Sequence, residues 1–134
     1  MGRANRKKQQ EDHGPAGWAG TSLVKLGVGK DGVAVIRLEG SDGLNFLGPA
    51  DIARLLEFVD RVAENPSARA LILAGGENFS AGTDFPEMMR HLLDPGSKPQ
   101  AFRFLADQKT VCDRIRGLRI PTVSVVRGLC AGSA

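Results

Sequence analysis

Two glycine-containing loops hold the residues whose types and spacing could do chemistry. The first loop spans residues 74–85 and contains Ser80-Ala81-Gly82-Thr83-Asp84, and the second spans residues 128–134 and contains Gly132-Ser133-Ala134. Small residues let a backbone approach a ligand closely, and glycine permits positive φ angles. Two such loops side by side could direct two backbone N–H groups at one oxygen, forming an oxyanion hole that stabilises negative charge. Either loop alone is more typical of an ordinary connection.

Other chemically capable side chains favour structural roles. Asp84 stands where a loop meets a predicted helix, which favours an N-cap over a general acid or base. Cys112 falls on the apolar side of a predicted helix and is expected in the core. Cys130 lies beside the second loop without an evident base. Glu77, Glu87 and His91 are expected at the surface. No group of residues has metal-ligand spacing, so no metal site is predicted.

Composition and charge indicate one α/β domain. The chain has 134 residues, 42% of them hydrophobic, with 17 glycines and a net charge of +3. Residues 1–14 contribute +4 − 2 = +2, so the remainder carries only +1. Residues 1–20 are therefore predicted to be a flexible basic segment, in which Trp18 either anchors the segment against the fold or has no role. Nucleic-acid binding is the weaker interpretation. No run reaches the roughly 18 apolar residues of a membrane span. Two cysteines without a framework favour a reducing, cytoplasmic location.

The first half of the chain predicts a hairpin and a helix. Two β-prone runs, Ser22–Val28 and Val33–Leu38, flank a turn at 29–32 that contains Asp-Gly. Residues 39–48 are predicted to be a loop. Pro49 then begins a helix that ends at Asn65-Pro66. Its apolar face is expected to comprise Ile52, Leu55, Leu56, Val59, Val62 and Ala63.

The second half predicts two buried strands that alternate with helices. The strands are Arg69–Leu73 and Pro121–Val126, and the helices are Pro86–Leu93 and Gln100–Leu118. The longer helix is expected to bury Phe102, Leu105, Cys112, Ile115 and Leu118. This order favours a layered α/β fold with crossover connections. Both glycine-containing loops would then follow the carboxyl ends of strands, where such folds place their sites.

Three segments, in order, resemble motifs of the crotonase (enoyl-CoA hydratase/isomerase) superfamily. Phe79–Asp84 resembles F-x-A-G-x-D, Gly43–Leu47 resembles A-L-N-A-L, and Ile120–Ala134 resembles K-P-V-I-A-A-V-N-G-x-A-x-G-x-G. The order and spacing agree over about residues 22–134. The resemblance implies an α/β fold, the crotonase/ClpP-like ββα spiral, with residues 21–134 as the N-terminal part of the domain.

The resemblance also implies an enzyme that binds acyl-CoA thioesters, most simply an enoyl-CoA hydratase or isomerase of fatty-acid metabolism. Backbone N–H groups of Thr83 and Ser133 would form the oxyanion hole. Substrate and CoA contacts would come from Leu44, Asn45, Ser80, Ala81, Gly82, Asp84 and Gly132. No cofactor is expected beyond the coenzyme A of the substrate. The full-length protein would form a homotrimer or a dimer of trimers, with catalytic acids beyond residue 134, so this chain alone is expected to be inactive.

Departures from the family pattern leave alternatives open. Asp42-Gly43 stands where relatives often have a basic residue, so CoA phosphates would fall to Arg37, Lys98 or groups outside the chain. Arg127 replaces a common asparagine. A non-catalytic or truncated binding protein, acting on partners or RNA through its basic tail, is one alternative. A family decarboxylase, dehalogenase or oxygenase is another.

Overall fold

A five-stranded mixed sheet lies at the centre of the computed structural model, which describes residues 19–20 and 23–134. Its strands are β1 (Ala19–Gly20), β2 (Val24–Val28), β3 (Val33–Leu38), β5 (Ala70–Gly75) and β7 (Thr122–Val125), in the order β1-β2-β3-β5-β7. The pairs β1–β2 and β2–β3 are antiparallel, whereas β3–β5 and β5–β7 are parallel. Two short strands, β4 (Phe46–Leu47) and β6 (Gly82–Thr83), pair separately. Apart from Ala19–Gly20, the predicted basic segment and Trp18 lie outside the described residues.

The predicted hairpin is confirmed. Val24 pairs with Leu38 and Val28 with Ala34 across β2 and β3. The turn closes through a bond from Gly32 N–H to the Gly29 carbonyl at 3.0 Å, and Gly32 has a φ of 82°. A residue with a side chain rarely adopts that backbone angle, so glycine fits the position. Asp31 Oδ1 accepts from Val33 N–H at 3.1 Å and fixes the exit of the turn.

Helix α1 (Pro49–Glu64) covers one face of the sheet, as its apolar spacing predicts. Its buried residues are Ile52, Leu55, Phe58, Val59 and Val62. Two details of the prediction are wrong, because Ala63 is exposed and Phe58, absent from the predicted face, is fully buried. The helix begins where Asp51 Oδ2 accepts from Gly48 N–H at 3.0 Å, which satisfies one donor of the first turn.

Two further helices follow, α2 (Phe85–Leu93) and α3 (Lys98–Arg116). The bounds lie within two residues of the predicted ones, but the buried face of α3 differs from the prediction. Ala101, Phe104 and Val111 are buried, whereas Phe102 and Cys112 are exposed, so the core role predicted for Cys112 is wrong. Helix α3 packs on α1 along one stripe. The neighbouring stripe, with Leu105 and Cys112, borders a cavity instead.

Strand β7 is predicted to be buried, and this is wrong for the chain as described. All four of its residues are exposed, because it forms the edge of the sheet and pairs only with β5. Strand β5, one step inward, is partly buried. Within the described residues, no helix has the length and apolar character needed to cross a membrane.

Candidate functional site

The two glycine-containing loops leave the sheet at the carboxyl ends of neighbouring strands, because β5 and β7 pair in parallel. Phe79 N–H donates to the Arg127 carbonyl at 2.8 Å and to the Leu129 carbonyl at 3.0 Å. Ala131 N–H donates to the Ser80 carbonyl at 3.1 Å. The expected juxtaposition of the two loops is therefore present and is held by main-chain hydrogen bonds.

The loops also approach each other closely at Gly82. Its φ is 90°, and a Cβ there would lie 2.6 Å from the Ala131 carbonyl oxygen and 3.0 Å from Ser133 N. Gly132 also has a positive φ, 65°, but its added Cβ would only make ordinary contacts at 3.7 Å. Glycine at position 82 thus decides how near Ser133 N comes to the first loop.

The backbone N–H groups of Thr83 and Ser133 are the two donors expected to form the hole. Strand β6 pairs Thr83 with Leu47, and Asp84 N–H donates to the Leu47 carbonyl at 2.9 Å. Thr83 N–H has no backbone acceptor outside the β4–β6 pair among the described residues. Ser133 N–H has no acceptor among residues 23–134. Two donors on adjacent turns are thus available to a ligand.

The side chains of these two residues also meet. Thr83 Oγ1 and Ser133 Oγ lie 2.7 Å apart, and Gln108 Nε2 of α3 donates to Thr83 Oγ1 at 3.0 Å. Sequence reasoning missed Gln108, because a single glutamine on an amphipathic helix has no distinguishing pattern. Only the packing of α3 brings it to the loops.

An apolar cavity of about 460 Å³ adjoins this group. Its walls come from the sheet, from α1 and from the outer stripe of α3. The lining residues include Leu38, Leu73, Leu55, Leu105, Cys112 and Ser133. The volume is in the range of small-molecule sites, which are mostly apolar with a few polar groups.

Asn45, predicted to contact CoA, has its side chain occupied within the fold. It is 1% exposed and has a φ of 55°. Its Oδ1 accepts from Gly40 N–H at 2.7 Å, and its Nδ2 donates to the carbonyls of Leu38 (3.0 Å), Asn78 (3.0 Å) and Phe79 (3.1 Å). The amide therefore positions the first loop, and the backbone N–H of Asn45 is engaged as well, since it donates to Asp42 Oδ1 at 3.3 Å.

Ser80, like Asn45, uses its buried side chain to hold the backbone of the first loop. It is completely buried, and its hydroxyl donates to the Asn45 carbonyl at 2.7 Å while accepting from Gly82 N–H at 2.9 Å. Ala81 N–H donates to the Leu44 carbonyl at 2.8 Å, and the Leu44 side chain is 38% exposed. Of the predicted CoA contacts, Leu44 thus offers the accessible side chain, and Ser80 holds the backbone of Gly82.

Asp84 caps α2, which confirms the structural interpretation of this residue. Its Oδ1 accepts from Glu87 N–H at 3.1 Å. The two acids also influence Asp51 at the start of α1. Burial raises the pKa of Asp51, the hydrogen bond from Gly48 lowers it, and the charges of Glu87 and Asp84 raise it further.

Asn78 is a second residue that sequence reasoning missed. Its Nδ2 donates to the Gly43 carbonyl at 2.9 Å, and its Oδ1 accepts from Leu129 N–H at 2.8 Å. It therefore joins the first loop to the 39–48 segment and to the second loop. Its partners lie far away in the sequence, so no local spacing could have indicated this role.

The remaining candidates do not converge on the site. Arg37 pairs with Glu39 at 3.2 Å, and Lys98 is exposed at the first turn of α3. Glu77 is exposed, as predicted, whereas Glu87 and His91 are half-buried. Cys112 and Cys130 are free and exposed. Across the described part of the chain, no three His, Cys, Asp or Glu side chains cluster to hold a metal ion.

Fold and loop motifs together are those of the crotonase class of α/β proteins. The sequence model of the enoyl-CoA hydratase/isomerase family matches residues 29–134, and the chain belongs to that family. The predicted α/β crotonase fold, present in part, is confirmed by solved structures of the family.

Individual relatives give the scale of the similarity. An enoyl-CoA hydratase from Mycobacterium smegmatis is 28% identical with a TM-score of 0.67 over 79% of this chain and 40% of that one. An enoyl-CoA hydratase/isomerase from Xanthobacter autotrophicus Py2 is 25% identical with a TM-score of 0.70 over 84% and 41%. An Arabidopsis thaliana protein named "Probable 3-hydroxyisobutyryl-CoA hydrolase 3" is 30% identical over 78% of this chain and 28% of its own length. The chain thus spans less than half of each relative.

Proposed function

We propose that the chain binds acyl-CoA thioesters and hydrogen-bonds the thioester carbonyl through the backbone N–H groups of Thr83 and Ser133. The observation that carries the proposal is the contact at Gly82, where an added Cβ would lie 3.0 Å from Ser133 N. Membership of the enoyl-CoA hydratase/isomerase family supports the same ligand. The reaction proposed for the whole protein is hydration or isomerisation of an enoyl-CoA.

The chemistry suits two fixed donors. Adding to or deprotonating the carbon chain next to a thioester moves negative charge onto the carbonyl oxygen. A preorganised N–H that meets this charge stabilises the transition state by about 3–4 kcal/mol. The cavity of about 460 Å³ would receive the acyl group. Its described lining contains no Asp or Glu side chain, so the proposal assigns proton transfer to none of those residues.

Thioester hydrolysis is the second candidate. The plant relative at 30% identity is named as a CoA hydrolase. The same pair of donors would stabilise the tetrahedral oxyanion formed when water attacks the carbonyl. Release of free CoA thiol would identify hydrolysis, whereas loss of the enoyl absorbance without thiol would identify hydration. A homotrimer or dimer of trimers, a cytoplasmic location and coenzyme A as the only cofactor-like group stay predictions.

Calorimetric titration with butyryl-CoA and with S-butyl-CoA tests the proposal. The thioether S-butyl-CoA lacks the carbonyl oxygen but is otherwise matched in length. Two hydrogen bonds depend on that oxygen, so we expect the thioester to bind roughly tenfold to a hundredfold more tightly. Equal binding of the two ligands, or binding of neither, would refute the proposed role of the two N–H groups.

A pair of glycine variants locates the effect. Gly82→Ala introduces a Cβ that would lie 2.6 Å from the Ala131 carbonyl oxygen and displaces the second loop. Gly43→Ala is the matched control, because its φ is also positive, 68°, but nothing lies within 4 Å of the added Cβ. We expect Gly82→Ala to abolish the preference for the thioester and Gly43→Ala to retain it.

A further inference from the structure

Three side chains form a hydrogen-bonded chain between helix α3 and the two glycine-containing loops. Gln108 Nε2 of α3 donates to Thr83 Oγ1 of the first loop at 3.0 Å, and Thr83 Oγ1 lies 2.7 Å from Ser133 Oγ of the second loop. We call these three side chains the side-chain bridge. The proposed oxyanion hole uses only the backbone N–H groups of Thr83 and Ser133, so it gives the side-chain bridge no role.

Ser133 has few other attachments. The second loop is bonded to the first through Ala131 N–H, which donates to a carbonyl oxygen there at 3.1 Å. Gly132 follows with a φ of 65°, and glycine permits a wide range of backbone angles. Beyond Gly132, the bond from Ala134 N–H to the Ala131 carbonyl stays within the second loop. In the part of the chain that the structure describes, the hydroxyl contact with Thr83 is therefore the hydrogen bond that joins Ser133 to the first loop.

The hydroxyl of Thr83 is suited to pass this contact on to α3. Gln108 Nε2 is a donor, so Thr83 Oγ1 accepts from it and keeps its own hydrogen for Ser133 Oγ. Thr83 is β-branched, which restricts the rotation of its side chain. Gln108 is half-buried on a helix that contributes to the core, whereas Ser133 is exposed. The side-chain bridge thus links an exposed residue to a packed helix.

We infer that the side-chain bridge is a positioning element that holds the backbone N–H of Ser133 beside that of Thr83 before a thioester binds. The inference rests on the proposed function and deepens it by naming what keeps the second donor in place. Donors that are already oriented stabilise a developing oxyanion without a cost of reorganisation at the moment of reaction. Gln108 and the Thr83 hydroxyl act through Ser133 and are positioning groups, so no ligand contact is assigned to them.

A purely structural role for the side-chain bridge makes a different prediction. The bond from Gln108 to Thr83 also joins α3 to the first loop. If the bridge were only a tether, removing the Thr83 hydroxyl would weaken all CoA ligands by the same factor. If it positions the second donor, the loss falls on the thioester, because the thioether S-butyl-CoA has no carbonyl oxygen to accept from Ser133 N–H. The ratio of the two affinities therefore separates positioning from tethering.

The experiment combines two measurements on the full chain. Backbone amide relaxation by NMR, without ligand, gives the order parameter of Ser133, and calorimetry gives the dissociation constants of butyryl-CoA and S-butyl-CoA. Thr83→Val keeps the shape of the side chain and removes the hydroxyl. We expect the order parameter to fall from about 0.85 in the wild-type chain to below about 0.6. The preference for butyryl-CoA should fall roughly threefold to tenfold, and Ser133→Ala, which keeps the backbone N–H, should act in the same direction.

Two further variants make the comparison specific. Thr83→Ser keeps the hydroxyl and should restore most of the order and most of the preference. The matched control is Thr110→Val, the same change on α3, where Thr110 Oγ1 donates to the Ala106 carbonyl of the same helix at 3.0 Å. It should leave both measurements unchanged.

The remaining outcomes each count against the inference. A Ser133 amide that is equally ordered in the wild-type chain and in Thr83→Val, or mobile in both, would overturn it and leave the proposed function standing. Loss of the thioester preference without loss of order would also overturn it, because the hydroxyl would then act on the ligand directly. Equal weakening of both ligands would overturn it in favour of a tether. Equal binding of the two ligands by the wild-type chain would overturn the proposed function and the inference together.

Discussion

The two loops are each assigned one backbone donor in the proposed function, but they are held in place by different means. The first loop rests on buried polar side chains, Asn45 at 1% and Ser80 at 0% exposure. The second loop is exposed and is fixed by main-chain bonds to the first loop and by one bond to Asn78. Thr83 is thus built into the core network, whereas Ser133 takes its position from the first loop.

This difference indicates how firmly each loop is held. A buried, fully satisfied polar group resists movement because each lost partner leaves another buried group unpaired. Exposed main-chain bonds can exchange with water at little cost, so a segment held by them opens locally. The first loop should therefore set the geometry of the proposed oxyanion hole, and the second should set the fraction of time in which both donors are in place.

The largest expected effect is that of Asn45→Ala. The change removes all four bonds of the side chain and leaves the Gly40 N–H and three carbonyls without it. It also places alanine at a φ of 55°. We expect a loss of about 3 kcal/mol or more in the free energy of unfolding, measured by chemical denaturation.

Asn65→Ala is the control for this prediction. Asn65 follows α1, and its Oδ1 accepts one exposed bond, from Ser67 N–H at 2.9 Å. It should cost less than about 1 kcal/mol. If the two variants were equally stable, the first loop would not depend on its buried amide, and the contrast between the loops would be lost.

Two glycines test the second loop from its two ends. A Cβ at Gly128 would overlap the Glu77 carbonyl oxygen and lie 2.5 Å from Asn78 Oδ1, whereas at Gly132 it meets only contacts at 3.7 Å. Both residues have a positive φ, 57° and 65°. We expect Gly132→Ala to cost about 1–2 kcal/mol from the backbone alone. Gly128→Ala should cost more in thermal or chemical unfolding, and a reversed order would contradict the anchoring at residue 128.

Asn78→Ala should loosen the second loop with a smaller loss of overall stability. The variant loses the bonds to the Gly43 carbonyl and from Leu129 N–H. We expect about 1–2 kcal/mol of destabilisation and faster amide exchange at Leu129. Asn78→Asp keeps an acceptor for Leu129 N–H and should protect that amide better than alanine does. Equal exchange in both variants would argue against the bond.

The smallest effect concerns the pH dependence of stability that comes from Asp51 in the first turn of α1. Burial and the charges of Glu87 and Asp84 raise the pKa of Asp51 above 3.8. The hydrogen bond from Gly48 N–H lowers this pKa, but by less than the other causes raise it. The folded state therefore disfavours the ionised form, and this penalty is relieved as the pH falls through the raised pKa towards 3.8. Relative to Asp51→Asn, the wild-type chain should gain stability over that window. Solvent screening limits the gain to less than about 1 kcal/mol.

Denaturation curves of the two proteins at several pH values check this sign. A wild-type chain that loses stability relative to Asp51→Asn on acidification would show that the hydrogen bond from Gly48 outweighs burial.

Helix α3 and strand β7 show where prediction from the sequence failed. The spacing of Phe102, Leu105 and Cys112 identified a real helix but not which of its stripes is buried. Ala101, Phe104 and Val111 are the buried ones instead. Similarly, the apolar run of β7 predicted a strand correctly, but burial depends on what covers it, and β7 lies at the edge of the sheet.

The sequence by itself determined the main helices and strands, the α/β class and the two loops, because helical periodicity, Asp-Gly turns and glycine at positive φ act over a few neighbouring residues. It did not indicate the short strands β4 and β6, which lie in segments predicted to be loops. The resemblance of the loop motifs to the family could also be recognised without coordinates. Tertiary structure alone decided that Asn45 and Asn78 hold the loops and that Gln108 reaches Thr83. Those hydrogen bonds join residues far apart in the chain, and their partners become neighbours only when parallel strands and packed helices bring them together.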